Sequence, residues 1–99
     1  MLKGYWIAHV TIHNPARYKD YMTANAVAFK KYGARFLARG GQNEPHGPGL
    51  SASQRHVVLE FESYGAAKAC YESPEYAVAM KIRDEASTAS IVILEGWEA

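Results

Sequence analysis

Ninety-nine residues suffice for one modest core and set the expectation of a single domain over residues 1–99. With 48% hydrophobic and 21% charged residues, the composition is that of an ordinary globular chain. A formal net charge of +1 excludes the basic footprint of a nucleic-acid or membrane-surface binder.

The opening MLKGYWIAHV has no apolar run long enough for a signal peptide or a membrane span. Cys70 is the only cysteine, so there is no internal disulfide and no cysteine-rich metal site. A reducing, cytoplasmic setting is expected. No internal repeat or low-complexity tract is present.

Residues 5–12 (YWIAHVTI) are rich in β-branched and aromatic side chains and read as a strand. Trp6, Ala8, Val10 and Ile12 point one way, and Tyr5, Ile7, His9 and Thr11 the other. Asn14-Pro15 is a helix start, because Asn accepts from a free first-turn N–H and Pro needs none. That helix is predicted to run to Tyr32, with Gly33 ending it in the left-handed conformation. Its inner stripe is Tyr18, Tyr21, Met22, Asn25, Phe29 and Tyr32.

Residues 34–39 form the second predicted strand. Residues 40–54 hold four glycines and two prolines and read as a long loop, a lid or an arm reaching a partner subunit. Residues 55–62 (RHVVLEFE) form a third strand, with Val57, Leu59 and Phe61 on one side and Val58, Glu60 and Glu62 on the other. Ser63 caps a second helix that Ser73-Pro74 interrupts and restarts, carrying Tyr76, Ala79, Met80 and Arg83 to about Ala86. Residues 90–95 (SIVILE) form the last strand.

The order β-α-β-β-α-β with right-handed crossovers predicts an α+β, ferredoxin-like fold: a four-stranded antiparallel sheet with both helices on one face. The first strand is apolar on both sides, as are Val57-Val58-Leu59 and Ile91-Val92-Ile93-Leu94. An antiparallel sheet with one wet face would alternate instead. Two helices cover one face only, so the expected partner is a second copy, and a homodimer through the open sheet face is predicted.

Gly4-Tyr5-Trp6, Asn14-Pro15, Tyr21, the run YGARFLARGG over residues 32–41, Val57-Val58-Leu59-Glu60-Phe61 and Ser73-Pro74-Glu75-Tyr76 together resemble domain-of-unknown-function family 1330. The resemblance covers nearly the whole chain and implies a dimeric α+β barrel. Related barrels include cofactor-free monooxygenases, lactone isomerases and haem-handling enzymes, so the architecture selects no chemistry. Three positions depart from the family pattern. Asn14 stands where Asp is usual, Ala34 where a second Gly is usual, and Glu44 is followed by Pro45-His46 rather than directly by Gly.

The candidate catalytic residues are His9, Arg39 and Glu60. If the strands share one apolar face, His9 and Glu60 share the opposite one, and the second strand is expected to place Arg39 there too. Arg39 would fix a substrate carboxylate or enolate while His9 or Glu60 moves a proton. The competing interpretation is a structural Arg39–Glu60 ion pair with His9 satisfied beside it. Tyr18, Tyr21, Asn25 and Tyr32 are the candidate ligand-binding residues, lining a cleft between helix and sheet suited to an aromatic or quinone-like molecule. Such a stripe also serves as plain core with its hydroxyls reaching polar partners.

No metal or cofactor is expected. His46, His56 and Glu44 lack a ligand spacing, and His9 and His13 stand about 13 Å apart along a strand. Gly40-Gly41 is followed by no phosphate-binding motif. Cys70, among small residues, reads as a buried inert thiol. Two functions are therefore expected: a homodimer binding a small organic molecule in the helix–sheet cleft, as a cofactor-free enzyme of monooxygenase or isomerase type, or a non-catalytic dimeric interaction or stress-related module.

Overall fold

The computed structural model describes residues 2–98. Strand β1 (Gly4–Ile12) leads through helix α1 (Pro15–Lys31) to β2 (Arg35–Arg39), and β3 (Arg55–Phe61) follows the long loop. Helices α2 (Tyr64–Tyr71) and α3 (Pro74–Ala86) then precede β4 (Ser87–Glu95). The four strands form one antiparallel sheet in the order β2-β3-β1-β4. With the helices on one side, this is the ferredoxin-like arrangement.

Local chemistry sets the helix ends. The Asn14 side chain accepts from the Arg17 N–H at 3.0 Å, and Pro15 follows as the first helical residue. At the other end Gly33 has φ of 68°, so Ala34 N–H reaches the Phe29 carbonyl at 2.9 Å and Gly33 N–H the Lys30 carbonyl at 3.4 Å. Ser63 and Ser73 cap α2 and α3 through Ala66 and Tyr76 N–H groups. The predicted second helix is thus two helices, divided where Ser73-Pro74 restarts the chain.

The core lies between sheet and helices. Trp6, Ala8 and Val10 of β1 and Val57, Leu59 and Phe61 of β3 are buried against Tyr18, Tyr21, Ala28 and Phe29 of α1 and Tyr76 and Ala79 of α3. Trp6 is its centre. Its ring meets Phe29, Phe61, Tyr71 and Tyr76 at centroid distances of 5.0–5.4 Å, and its indole N–H donates to the Ala67 carbonyl at 2.8 Å.

The other face of the sheet carries Tyr5, Ile7 and His9 beside Glu60, Val58 and His56, with Val92 and Leu94 on β4. Among the described residues no helix covers it, and Val92 is 51% exposed. β4 begins at Ser87, three residues before the predicted start. Ser87, Thr88 and Ala89 pair with Ile12, Thr11 and Val10, so the length of β1 decides where β4 starts.

β2 is irregular. Arg35 pairs with Glu60 and Phe36 with Leu59, but Ala38 rather than Leu37 pairs with Val58, and Arg39 with Val57. Leu37 is a β-bulge, and one extra residue reverses the facing of everything beyond it. Arg39 therefore shares a face with Val57, towards the helices.

Candidate functional site: the cleft between helix and sheet

Between α1 and the sheet runs a narrow cleft with a cavity volume of about 30 Å³, room for about two waters. Its walls are apolar and aromatic, including Trp6, Met22, Phe29, Phe36, Leu59 and Ile91. The polar groups are Tyr18, Tyr21, Asn25, Arg39, Arg55 and Arg83. Among the described residues no carboxylate lines it.

Each polar group has a structural origin. Tyr18, Tyr21 and Asn25 lie on the inner stripe of α1, three and four residues apart. Arg39 is turned inward by the bulge, and its guanidinium stacks 4.2 Å above the Phe36 ring. Arg55 opens β3 in phase with Val57 and pairs with Val10. Arg83 projects from α3, and only 7% of it is exposed.

Burial pushes the Tyr18 hydroxyl up to about 12, although Arg55 and Arg39 nearby pull it down. Burial likewise raises Tyr21, against the opposing effect of its hydrogen bonds with Tyr76 and Asn25. Tyr21 and Tyr76 hydroxyls are 2.8 Å apart. Arg83 donates to Tyr76 at 3.2 Å, to Tyr71 at 3.4 Å, and through Nε to Asp84 at 3.1 Å. Among the described residues, neither Arg39 nor Arg55 takes part in an ion pair.

The predicted site residues do not come together as one group. His9 and Glu60 lie on the helix-free face, whereas the bulge puts Arg39 in the cleft. The expected Arg39–Glu60 pair is absent; Glu60 instead binds Arg35 Nη2 at 3.1 Å and accepts from the Tyr5 hydroxyl at 3.1 Å. His9 Nδ1 meets His56 Nδ1 at 2.8 Å, and His56 Nε2 donates to the Ser51 carbonyl at 2.9 Å. Tyr32 is half-buried at the C-terminal end of α1 and outside the cleft, with Lys31 Nζ 5.6 Å above its ring.

Arg55 and Arg83 also line the cleft, and the sequence reading did not place either there. Both carried a signal: Arg55 continues the Val57, Leu59, Phe61 alternation, and Arg83 completes the Tyr76, Ala79 stripe. A cation in phase with an apolar face must find acceptors indoors.

The loop over residues 40–54 bends alongside the helix-free face. With His9 and His56, its Asn43, Glu44, Pro45, His46 and Leu50 enclose an open hollow of about 240 Å³. Among the described residues no three His, Cys, Asp or Glu side chains are grouped to hold a metal ion, and no helix is long and apolar enough to cross a membrane.

The family described as Domain of unknown function (DUF1330) matches residues 3–97. No curated protein sequence matches the chain. Among solved structures, the RPA0582 protein of unknown function from Rhodopseudomonas palustris is 19% identical with a TM-score of 0.73, over 99% of this chain and 85% of that one. SnoaB, a cofactor-independent oxygenase from Streptomyces nogalater, is 11% identical with a TM-score of 0.69, over 100% and 97%. A dimeric ferredoxin-like protein of unknown function from Thermobifida fusca is 15% identical with a TM-score of 0.62, over 95% and 91%. At such identities the likeness is one of fold.

Proposed function

Because the chain belongs to the DUF1330 family, whose description names no activity, we propose its function from the cleft: a cytoplasmic homodimer that binds a small organic molecule between α1 and the sheet and acts on it without a cofactor. The observation that carries this reading is the lining itself. Three arginines, two phenols and an amide converge on an apolar slot. Asp84 pairs with Arg83 from outside it, while among the described residues Arg39 and Arg55 have no carboxylate partner. This is the composition of a ligand site rather than of inert core. The cofactor-independent oxygenase of similar fold supports the catalytic half by architecture alone.

In this reading Arg39 is the clamp at the mouth, since it is exposed and, among the described residues, paired with no carboxylate. Tyr18, Tyr21 and Asn25 line the interior. His9 and Glu60, on the opposite face, hold the sheet surface and the long loop instead of contacting the ligand. The homodimer follows from that same surface, where Ile7, Val58, Val92 and Leu94 lack a cover, and the dimeric relative from Thermobifida fusca supports it. The whole chain then forms one unit of a dimeric α+β barrel.

A second reading, a non-catalytic dimeric interaction module, is favoured by one observation. The cleft is narrow enough that a ligand must open it. A thermal-shift screen against aromatic acids, quinones, lactones and haem separates the two, because a ligand at a hundredfold excess over its Kd adds about 2.7 kcal/mol to the native state. A hit lost in folded Arg39→Ala protein is the expected result; no hit in any class favours the module. Sedimentation at micromolar concentration is expected to give twice 11.0 kDa, and a monomer overturns the dimer.

A further inference from the structure

Hydrogen-bond direction inside the cleft follows from what each group can donate. The Arg83 guanidinium has only N–H donors, so Tyr76 Oη, 3.2 Å from Nη1, is an acceptor there. The Tyr76 proton must then go elsewhere, and Tyr21 Oη at 2.8 Å is its partner in this fully buried setting. Tyr21 Oη accepts that bond, and its own proton is directed to the remaining side. That side is the cleft, which the Asn25 amide also lines. The bonds run Arg83 to Tyr76 to Tyr21 to the cleft, each donor polarised by the one behind it.

From this direction we infer that the ligand is a carboxylate with an aromatic or apolar body, its anionic oxygen taken by the Tyr21 hydroxyl. The inference rests on the reading of the cleft as a ligand site. Arg83 supplies the positive charge at the far end of the chain and acts through Tyr76 as a positioning residue. Arg39 and Arg55 offer planar forks that fit a carboxylate, and the aromatic walls take the body. A neutral ligand would leave Arg39 and Arg55 facing it with no carboxylate to balance them among the described residues, Arg83 alone of the three being paired, with Asp84. An ammonium ligand would be repelled by both.

The test uses benzoate and benzyl alcohol, which share a ring and differ in charge, titrated into the full chain and followed by amide and indole NMR shifts at Trp6, Tyr21 and Asn25. A hydrogen bond to a charged acceptor is worth about tenfold or more in affinity, so benzoate is expected to bind at least about tenfold more tightly than the alcohol. Tyr21→Phe, and separately Tyr76→Phe, should remove most of that preference, the affinity for benzoate falling much further than the affinity for benzyl alcohol. A merely structural role would weaken both probes together. Equal binding of the two probes by the native protein, or a preference unaltered in Tyr21→Phe, overturns the carboxylate assignment while leaving the ligand site standing. Failure of both probes to shift the cleft resonances removes the ligand site itself.

Discussion

Arg83 and Tyr76 form a buried polar pair whose two members are predicted to differ in cost when removed. Arg83→Met takes away the cation and leaves no buried charge behind, because its carboxylate partner Asp84 is 64% exposed and can be rehydrated. The Tyr76–Tyr21 bond survives, and a methionine of similar length refills the space. Replacing a buried ionic group by an apolar one of like size is often close to neutral, so the expected loss is about 1 kcal/mol or less. Tyr76→Phe keeps the ring against Trp6 at 5.0 Å but removes the nearer of the two acceptors of Arg83 Nη1, on a cation that stays buried, and Tyr71 at 3.4 Å replaces it poorly. That substitution should cost about 1.5–3 kcal/mol, the range for hydrogen bonds to charged groups. Urea denaturation at constant m-value measures both, and for a domain of this size each kcal/mol lowers Tm by about 4–8 °C. If Arg83→Met proves the more damaging of the two, the cation is an essential support of the fold, and the polarised-chain argument loses its premise.

Two further outcomes are expected. A Cβ on Gly4 would run into the Ser63 carbonyl and come within 2.7 Å of Tyr64 Cα, backbone that cannot turn aside, so Gly4→Ala should cost about 1–3 kcal/mol; an unchanged urea midpoint would contradict the close approach of β1 to α2. Stability should also fall at alkaline pH. Burial pushes Cys70 and Tyr18 up to about 12 and raises Tyr21 and Tyr76, so the folded chain holds these protons more tightly than the unfolded one. The contribution is full below the unfolded values of about 8.5–10 and is lost as pH rises through that range towards 12. A urea midpoint flat from pH 8 to 11, or a Cys70 thiol labelled in native protein as fast as in urea, would refute it.

Helix ends and strand faces were legible because their causes are local. Asn14, Ser63 and Ser73 cap the turns beside them, Gly33 ends its own helix, and alternation along residues 5–12 and 55–62 assigned Trp6, Val57 and Leu59 to one face and His9 and Glu60 to the other. The site was less legible. Tyr18, Tyr21 and Asn25 line the cleft as expected, because helical periodicity puts them on one stripe. Tyr32 was assigned by the same rule, but it sits where the helix is already ending.

Within residues 2–98, the amino-acid sequence by itself determined the order of elements, the caps and the two-faced character of the sheet, since each depends on neighbours a few residues away. Only the tertiary structure decided that Leu37 bulges and turns Arg39 inward, that Glu60 takes Arg35 in place of Arg39, that His9 meets His56, and that Arg83 stands behind Tyr76 and Tyr21. Those outcomes depend on strand register and on groups far apart in the chain brought to within 2.8–3.4 Å of one another. A single extra residue in one edge strand carries no mark in the local pattern, and yet it exchanges one face of the sheet for the other.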